Sequence, residues 1–300
     1  MNLNEEVRNG YLITAETKKV WAVQIDLLKH LLDVCQRHKL KIWADGGTLL
    51  GAVREHGYIP WDDDIDMFML REDYEKLREL APTEFKSPYF FQTGYTDKMY
   101  PRGHAQLRYQ GTTAILPGDL GCKFDQSIFI DIFVYDTLPK DISVFTDRMV
   151  KAEVLRKVMN WGAFGKLSLR TPKETCMRLA ARAILRLLGF KRVYSKFEKL
   201  YADIPGEKSD VTSCPAFSAS QVFRIHRRLD WLKETILMPF EDLEIPVPNG
   251  YDEILTDQYG DYMTPVKAPT MHGSVIFDAD RPYKEILKEI KAGKISTEKN

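Results

Sequence analysis

The chain has 300 residues, enough to bury a real core and to form one large domain or two coupled ones. Lys and Arg number 43 and so do Asp and Glu, while hydrophobic residues make up 44% and charged residues 29%. That balance is ordinary for a globular chain, and a formal net charge of zero excludes global attraction to nucleic acid or to an anionic membrane as the basis of function.

Cys35, Cys122, Cys176 and Cys214 are scattered, with no C-x-x-C pair, which suits a reducing compartment. The first residues are acidic and polar where a signal peptide is basic and then apolar. No stretch approaches 18 uncharged apolar residues, so no spanning helix is expected. A cytoplasmic protein is the simple expectation.

Residues 16–38 carry Val20, Val23, Leu27, Leu28, Leu31 and Val34 at helical spacing, which predicts a helix. KLKIWAD then reads as a strand, Gly46-Gly47 as a tight turn, and TLLGAVREH as a short helix broken at Gly57 and Pro60. DDDIDMFML alternates as a strand does, and REDYEKLREL (71–80) reads as a surface helix. PYFFQTG (88–94) and HAQLRYQGTTAIL (104–116) are plausible strands. SIFIDIFVYDTL (127–138) is the strongest strand signal in the chain. Residues 141–202 read as mostly helical, broken near Trp161-Gly162 and Thr171-Pro172. Residues 211–250 read as short strands and turns, 249–263 as a short helix stopped at Gly260, and the tail from Arg281 as a charged helix fraying at its end. These patterns predict an α+β protein: a helix-flanked sheet in a catalytic core over 1–140, and a helical and mixed region over 141–300 packed on it and completing the active site.

The informative segment is WADGGTLLGAVREHGYIPWDDDIDMFM. On a strand Asp64 and Asp66 fall on one face with Ile65 on the other. Two carboxylates so placed suit Mg2+ or Mn2+, hard cations that prefer oxygen ligands. Such ions offset the charge that develops as phosphorus–oxygen bonds rearrange. Asp131, inside the apolar run IFIDIFV, is the best third carboxylate, since an ionised group is costly to bury unpaired. Gly46 and Gly47 let backbone amides approach a phosphate, the following helix N-terminus favours an anion, and Thr48 adds a hydroxyl. Separately, each feature has a bland reading: a Gly-Gly turn, an acidic loop in solvent. The combination and its spacing do not.

At these residues the sequence resembles the LicD/fukutin-type family. The hallmark DGGTLLGAVR stands at Asp45–Arg54 and IPWDDDID at Ile59–Asp66. SIFIDIFVYD matches the family's third-carboxylate strand, and FEDLEIPVPNGYDEILTDQYGDYMTP (240–265) its C-terminal portion. The resemblance covers most of 20–272 and is weakest over about 141–205. It implies a nucleotidyltransferase fold (DNA polymerase beta-like), with a mixed sheet flanked by helices, a helical middle insertion and a C-terminal extension. It implies metal ligands at Asp64, Asp66 and Asp131, and donor-phosphate contacts at Gly46, Gly47 and Thr48. The implied reaction is attack by a hydroxyl on the distal phosphorus of a CDP-linked donor, releasing CMP. Family members include phosphocholine transferases that use CDP-choline to decorate teichoic acid or lipopolysaccharide, and ribitol phosphate transferases. One departure stands at Gln106, where family members often have a basic residue nearby. Arg108 or Lys123 supplies that charge, or the donor contact differs.

Further candidates are Arg54, one or two turns after Gly-Gly-Thr and a phosphate contact or a surface charge, and His272, an acceptor-orienting group or a structural histidine. A choline donor would need an aromatic or acidic pocket, for which Trp43, Trp61, Tyr100, Tyr109 and Trp161 are available. In 173–196, Arg178, Arg182 and Arg186 recur at i,i+4 spacing opposite a Leu/Ile face. That face is either packed on the core or a peripheral contact at the inner face of the membrane, where a lipid-linked glycan would be met. No long basic stripe with interleaved aromatics appears, so nucleic acid is not an expected partner. The leading expectation is transfer of phosphocholine to a glycan hydroxyl. Alternatives are transfer of ribitol or glycerol phosphate, a nucleotidyltransferase releasing pyrophosphate, and a non-catalytic glycan-binding member.

Overall fold

The computed structural model describes residues 1–163, 171–214, 225–267 and 274–296. Its elements are β1 (Glu6–Arg8), β2 (Tyr11–Ile13), α1 (Ala15–His38), β3 (Trp43–Ala44), α2 (Gly46–Arg54), β4 (Asp66–Leu70), α3 (Arg71–Glu84), β5 (Tyr89–Gln92), β6 (Ala105–Tyr109), β7 (Thr113–Ile115), β8 (Ile128–Pro139), α4 (Ile142–Ala163), α5 (Pro172–Leu188), α6 (Phe190–Ala202), β9 (Lys208–Ser213), β10 (Arg227–Arg228), β11 (Thr235–Phe240), β12 (Leu243–Pro248), α7 (Tyr251–Tyr259), β13 (Ile276–Asp278) and α8 (Tyr283–Lys291).

The spine is β8. Its residues are buried along nearly the whole strand, on both faces, which is why it reads as a continuous apolar run. It pairs in parallel with β4, from Asp66 opposite Asp131 to Leu70 opposite Tyr135. Its first half pairs antiparallel with β6 and its last residues with β9. With β3 beyond β4, β5 beyond β6 and β10 beyond β9, these strands form a seven-stranded mixed sheet. Helix α1 begins at the cap Thr14, whose hydroxyl accepts from the Thr17 amide at 3.1 Å. It buries Trp21, Leu27, Leu28, Leu31 and Val34 in the main core.

The helices α4, α5 and α6 form a second apolar cluster around Phe145, Met149, Leu185, Phe197 and Tyr201. Buried charge joins this cluster to the sheet. Arg71, at the start of α3, donates to both oxygens of Asp136 on β8 at 2.8 and 2.7 Å, and to Glu198 on α6 at 3.1 Å. Arg78 and the Tyr95 hydroxyl donate to the other Glu198 oxygen at 3.0 and 2.7 Å. Burial pushes the Asp136 carboxyl up, against the pull of Arg71.

Two sequence expectations are corrected. Gly46 and Gly47 are the first turn of α2, not a tight turn before it, because Asp45 caps the helix and its carboxylate accepts from the Gly46 amide at 3.0 Å. The strand expected from the acidic run starts only at Asp66, since Trp21 and Gln24 of α1 hold the carbonyls of Asp62 and Asp63 in a turn. Helix α4 is described to Ala163, beside the break expected near Trp161-Gly162, and the missing side chain of Gly162 admits Leu185 of α5. Among the described residues no helix is long and apolar enough to cross a membrane.

Glu198 serves three donors from the sheet side. Replacing it with Ala removes the shared acceptor of Arg71, Arg78 and Tyr95, while Arg71 keeps its pair with Asp136, and is expected to destabilise the protein by about 2 kcal/mol, read as a lowered urea midpoint.

Candidate metal centre and transfer site

The site lies where the parallel pair β4–β8 meets the N-terminus of α2. The register sets Asp66 directly beside Asp131. Carboxylate oxygens of Asp64, Asp66 and Asp131 all lie within 4.8 Å of one another, and those of Asp62, Asp63 and Asp64 form a second such group. Asp64 belongs to both. An all-oxygen donor set of this size suits a hard divalent cation. Without one, burial and the charges of Asp64, Asp131, Asp45 and Asp62 push the Asp66 carboxyl well above the usual carboxylate range.

The chain holds these groups in place through the backbone. The Asp66 amide donates to Thr48 Oγ1 at 2.8 Å, the Asp45 amide to the Asp66 carbonyl at 2.9 Å, and the Asp131 amide to the Ile65 carbonyl at 2.8 Å. The indole of Trp21 donates to the Asp62 carbonyl at 3.2 Å and the Gln24 amide to the Asp63 carbonyl at 2.8 Å. The Tyr58 hydroxyl donates to Gln24 Oε1 at 3.0 Å while its ring stacks on Trp21. The backbone of the acidic turn is thus fastened to α1.

The two glycines serve these carboxylates. Gly46 takes a φ of +49°, and a Cβ there would stand 3.2 Å from Asp66 Oδ2. A Cβ on Gly47 would collide with Asp62 Oδ2. Thr48 is buried, with its hydroxyl oxygen engaged by the Asp66 amide.

Arg108 is fully buried, and its guanidinium donates to Gln92, to the Ser127 carbonyl and to Gln106 Oε1. A guanidinium can only donate. Arg108 therefore fixes the Gln106 amide so that its nitrogen faces Asp131 and donates to Oδ1 at 2.7 Å. His104 stands 3.3 Å from the same oxygen, its ring against Phe133. Gln106 and Arg108 alternate along β6, with His104 just before it in the same phase, and that spacing was the available signal for a set that sequence reasoning read separately or missed. Arg54 is turned to Glu55 at 2.8 Å and to the Tyr262 carbonyl at 2.8 Å. Lys123 is exposed. His272 lies outside the described residues.

The C-terminal half reaches the site through residues that sequence reasoning did not single out. Arg227 of β10, buried, pairs with Asp45 Oδ1 and donates to Gln258 Oε1 at 3.1 Å. Burial opposes its charge, and Asp45 outweighs that, so its pKa rises. Tyr135 donates to the other Asp45 oxygen at 3.0 Å. Gln258 donates to the Tyr259 hydroxyl at 3.1 Å, which lies over Gly46. Of the aromatic candidates for a cation pocket, Trp43 and Tyr100 are core residues, while Trp61, Tyr109 and Trp161 are half-buried.

Three outcomes follow, the first two read by calorimetry. Saturating Mg2+ or Mn2+ is expected to raise the Tm of the metal-free protein by about 5 °C, and Asp66→Asn to remove most of that shift without lowering the metal-free Tm. Because the folded-state pKa of Asp66 is raised, metal-free stability falls as pH rises from 3.8 through that pKa, and the metal's effect grows over the same interval. Differential scanning calorimetry reads both. Gly47→Ala, by displacing Asp62, is expected to lower turnover at least about tenfold while the circular dichroism spectrum stays native.

Residues 39–174 match the family described as LicD/FKTN/FKRP, nucleotidyltransferase domain. The chain is 27% identical over 241 residues to the lipopolysaccharide cholinephosphotransferase LicD of Haemophilus influenzae, covering 80% of this chain and 89% of that one. It is 40% identical over 96 residues to an uncharacterized protein of Rickettsia prowazekii, 32% of this chain and 33% of that one. It is 34% identical over 56 residues to the human ribitol 5-phosphate transferase FKRP, 19% of this chain and 11% of that one. With the mixed helix-flanked sheet and the clustered carboxylates described above, the chain carries a LicD-family nucleotidyltransferase domain.

Proposed function

We propose that this protein transfers phosphocholine from CDP-choline to a hydroxyl of a cell-surface glycan precursor, with release of CMP. The observation that carries the reading is the group formed by Asp64, Asp66 and Asp131, combined with likeness to a cholinephosphotransferase over most of both chains. In the reaction the acceptor oxygen forms a bond to the choline-bearing phosphorus. The bond from that phosphorus to the bridging oxygen of CMP breaks, and the hydroxyl proton passes to a carboxylate of the site. Mg2+ or Mn2+ held by the three carboxylates would supply charge neutralisation for the phosphoryl oxygens.

The chain's own residues supply the geometry. Gln106, held by Arg108, keeps Asp131 turned toward Asp66. Gly46 and Gly47 let Asp66 and Asp62 close over the helix N-terminus, where a donor phosphate would meet backbone amides. Trp61, half-buried and next in sequence to Asp62, is the aromatic candidate for a quaternary ammonium. Likeness to a ribitol 5-phosphate transferase over 56 residues favours polyol phosphate as the second donor class.

Incubation with Mg2+ or Mn2+, a sugar acceptor panel and CDP-choline, CDP-ribitol, CDP-glycerol or nucleoside triphosphates tests the reading, with CMP and pyrophosphate read by mass spectrometry. The expected result is CMP from CDP-choline, stopped by chelation and reduced on the order of 10³-fold in Asp64→Ala and Asp66→Ala. CMP release that survives chelation and both substitutions would sink the metal-assisted reading. Pyrophosphate from a triphosphate would replace group transfer with nucleotidyl transfer.

A further inference from the structure

Helix α5 divides its apolar residues between two faces. Ala181 and Leu185 are buried against α4, where Leu185 fills the space left by Gly162. Leu179, Ile184, Leu187 and Leu188 point the other way and are 54%, 41%, 84% and 47% exposed. On a helical wheel these four share one half-turn of the surface with Cys176, Ala180 and Ala183, all exposed. The sequence left this helix between a core-packed Leu/Ile face and a membrane-surface one, and the larger apolar side chains are in solvent.

The charge around the stripe is one-sided. Residues 172–202 hold eight Lys or Arg against two Glu, in a chain of zero formal net charge. Of the two, Glu198 is already taken by Arg71 and Arg78. Arg186, Lys191 and Arg192 are exposed next to the leucines in sequence. Helix α4 adds Val150 and Val154, 62% and 57% exposed, beside a groove shared with Lys151, Lys196 and Lys199.

We propose that the α5 stripe, with the basic residues of 172–202, is a docking face for an anionic lipid bilayer, on which α5 lies in the interfacial plane. An exposed apolar stripe of this size marks an interaction surface, and an amphipathic helix with a basic border matches the headgroup boundary of acidic lipids. A second copy is a poorer occupant. Two such faces would bring like charges together, and four side chains fall well short of the roughly 1,200 Å² that a stable interface buries. The inference concerns location and stands apart from which group is transferred.

The test is flotation of the full chain with vesicles of phosphatidylglycerol and phosphatidylethanolamine, and with phosphatidylcholine vesicles. The expected result is binding to the anionic vesicles that weakens as salt is raised and is much weaker on phosphatidylcholine. The double substitution Leu187→Asp, Leu188→Asp is expected to reduce binding at least about tenfold and to leave CMP release from a soluble donor and acceptor unchanged. A polarity-sensitive dye on Cys176, the exposed cysteine, is expected to shift to the blue with anionic vesicles. The proposal is overturned if the wild-type chain stays with the unbound fraction at low salt, or if the double variant floats as well as wild type. A concentration-dependent dimer in analytical ultracentrifugation, dissolved by the same substitutions, would assign the stripe to a second copy and overturn it too.

Discussion

Carboxylates brought together out of bulk water repel one another more strongly as the local dielectric falls, and Asp62, Asp64, Asp66 and Asp131 are in that situation. Nothing in their own chemistry keeps them close. The parallel register of β4 on β8 aligns two of them, and the turn before β4 brings in the others. That turn is held by neutral donors from α1, the Trp21 indole and the Gln24 amide, which bind its carbonyls. Gln106 gives the Asp131 carboxylate a neutral donor, and His104 stands 3.3 Å from the same oxygen. Much of the surrounding architecture follows from the need to hold like charges in register.

Where countercharge is used, it ties distant parts of the chain to the sheet. Arg71 links β8 to α6 through Asp136 and Glu198, and Arg227 brings β10 and α7 to Asp45, the residue that caps α2. Arg54 reaches the Tyr262 carbonyl after α7, and Arg8 in the N-terminal hairpin pairs with Glu241 between β11 and β12. Guanidinium groups suit this work because they donate to several partners at once in a fixed plane. The Asp45 cap couples the region after residue 200 to the helix N-terminus beside the metal centre, so the site depends on both halves of the chain.

The strands and helices with a clear period were legible. The apolar stripe of α1 and the continuous run of β8 encode their burial directly, and the corresponding spans agree with the structure within a few residues. The acidic run was harder. Its alternation imitates a strand, yet the backbone from Asp62 to Ile65 is claimed by α1 and by Asp131, so pairing begins at Asp66. The Gly-Gly pair carried a real signal with an incomplete physical explanation. Its small residues make room for Asp62 and Asp66 as well as for whatever approaches the helix end.

By itself the sequence pointed to the chemistry: three carboxylates in a spaced motif, a glycine pair at a short helix, and a long buried strand to carry the third acid. These are local in the chain, and residue type and spacing record them. Only the tertiary structure decided which polar groups stay available to the site. Arg108, Arg54 and Thr48 look alike as candidate phosphate contacts in one dimension, but each has a hydrogen-bonding partner from a distant segment. His104, Gln106 and Arg227 gain their place beside Asp131 or Asp45 through pairings across 25 to 182 residues of chain. The same holds for α5, where the wheel records an apolar face but only packing against α4 shows which apolar residues are covered. A side chain's partners are set by where the backbone carries its neighbours, and that is a property of the whole fold.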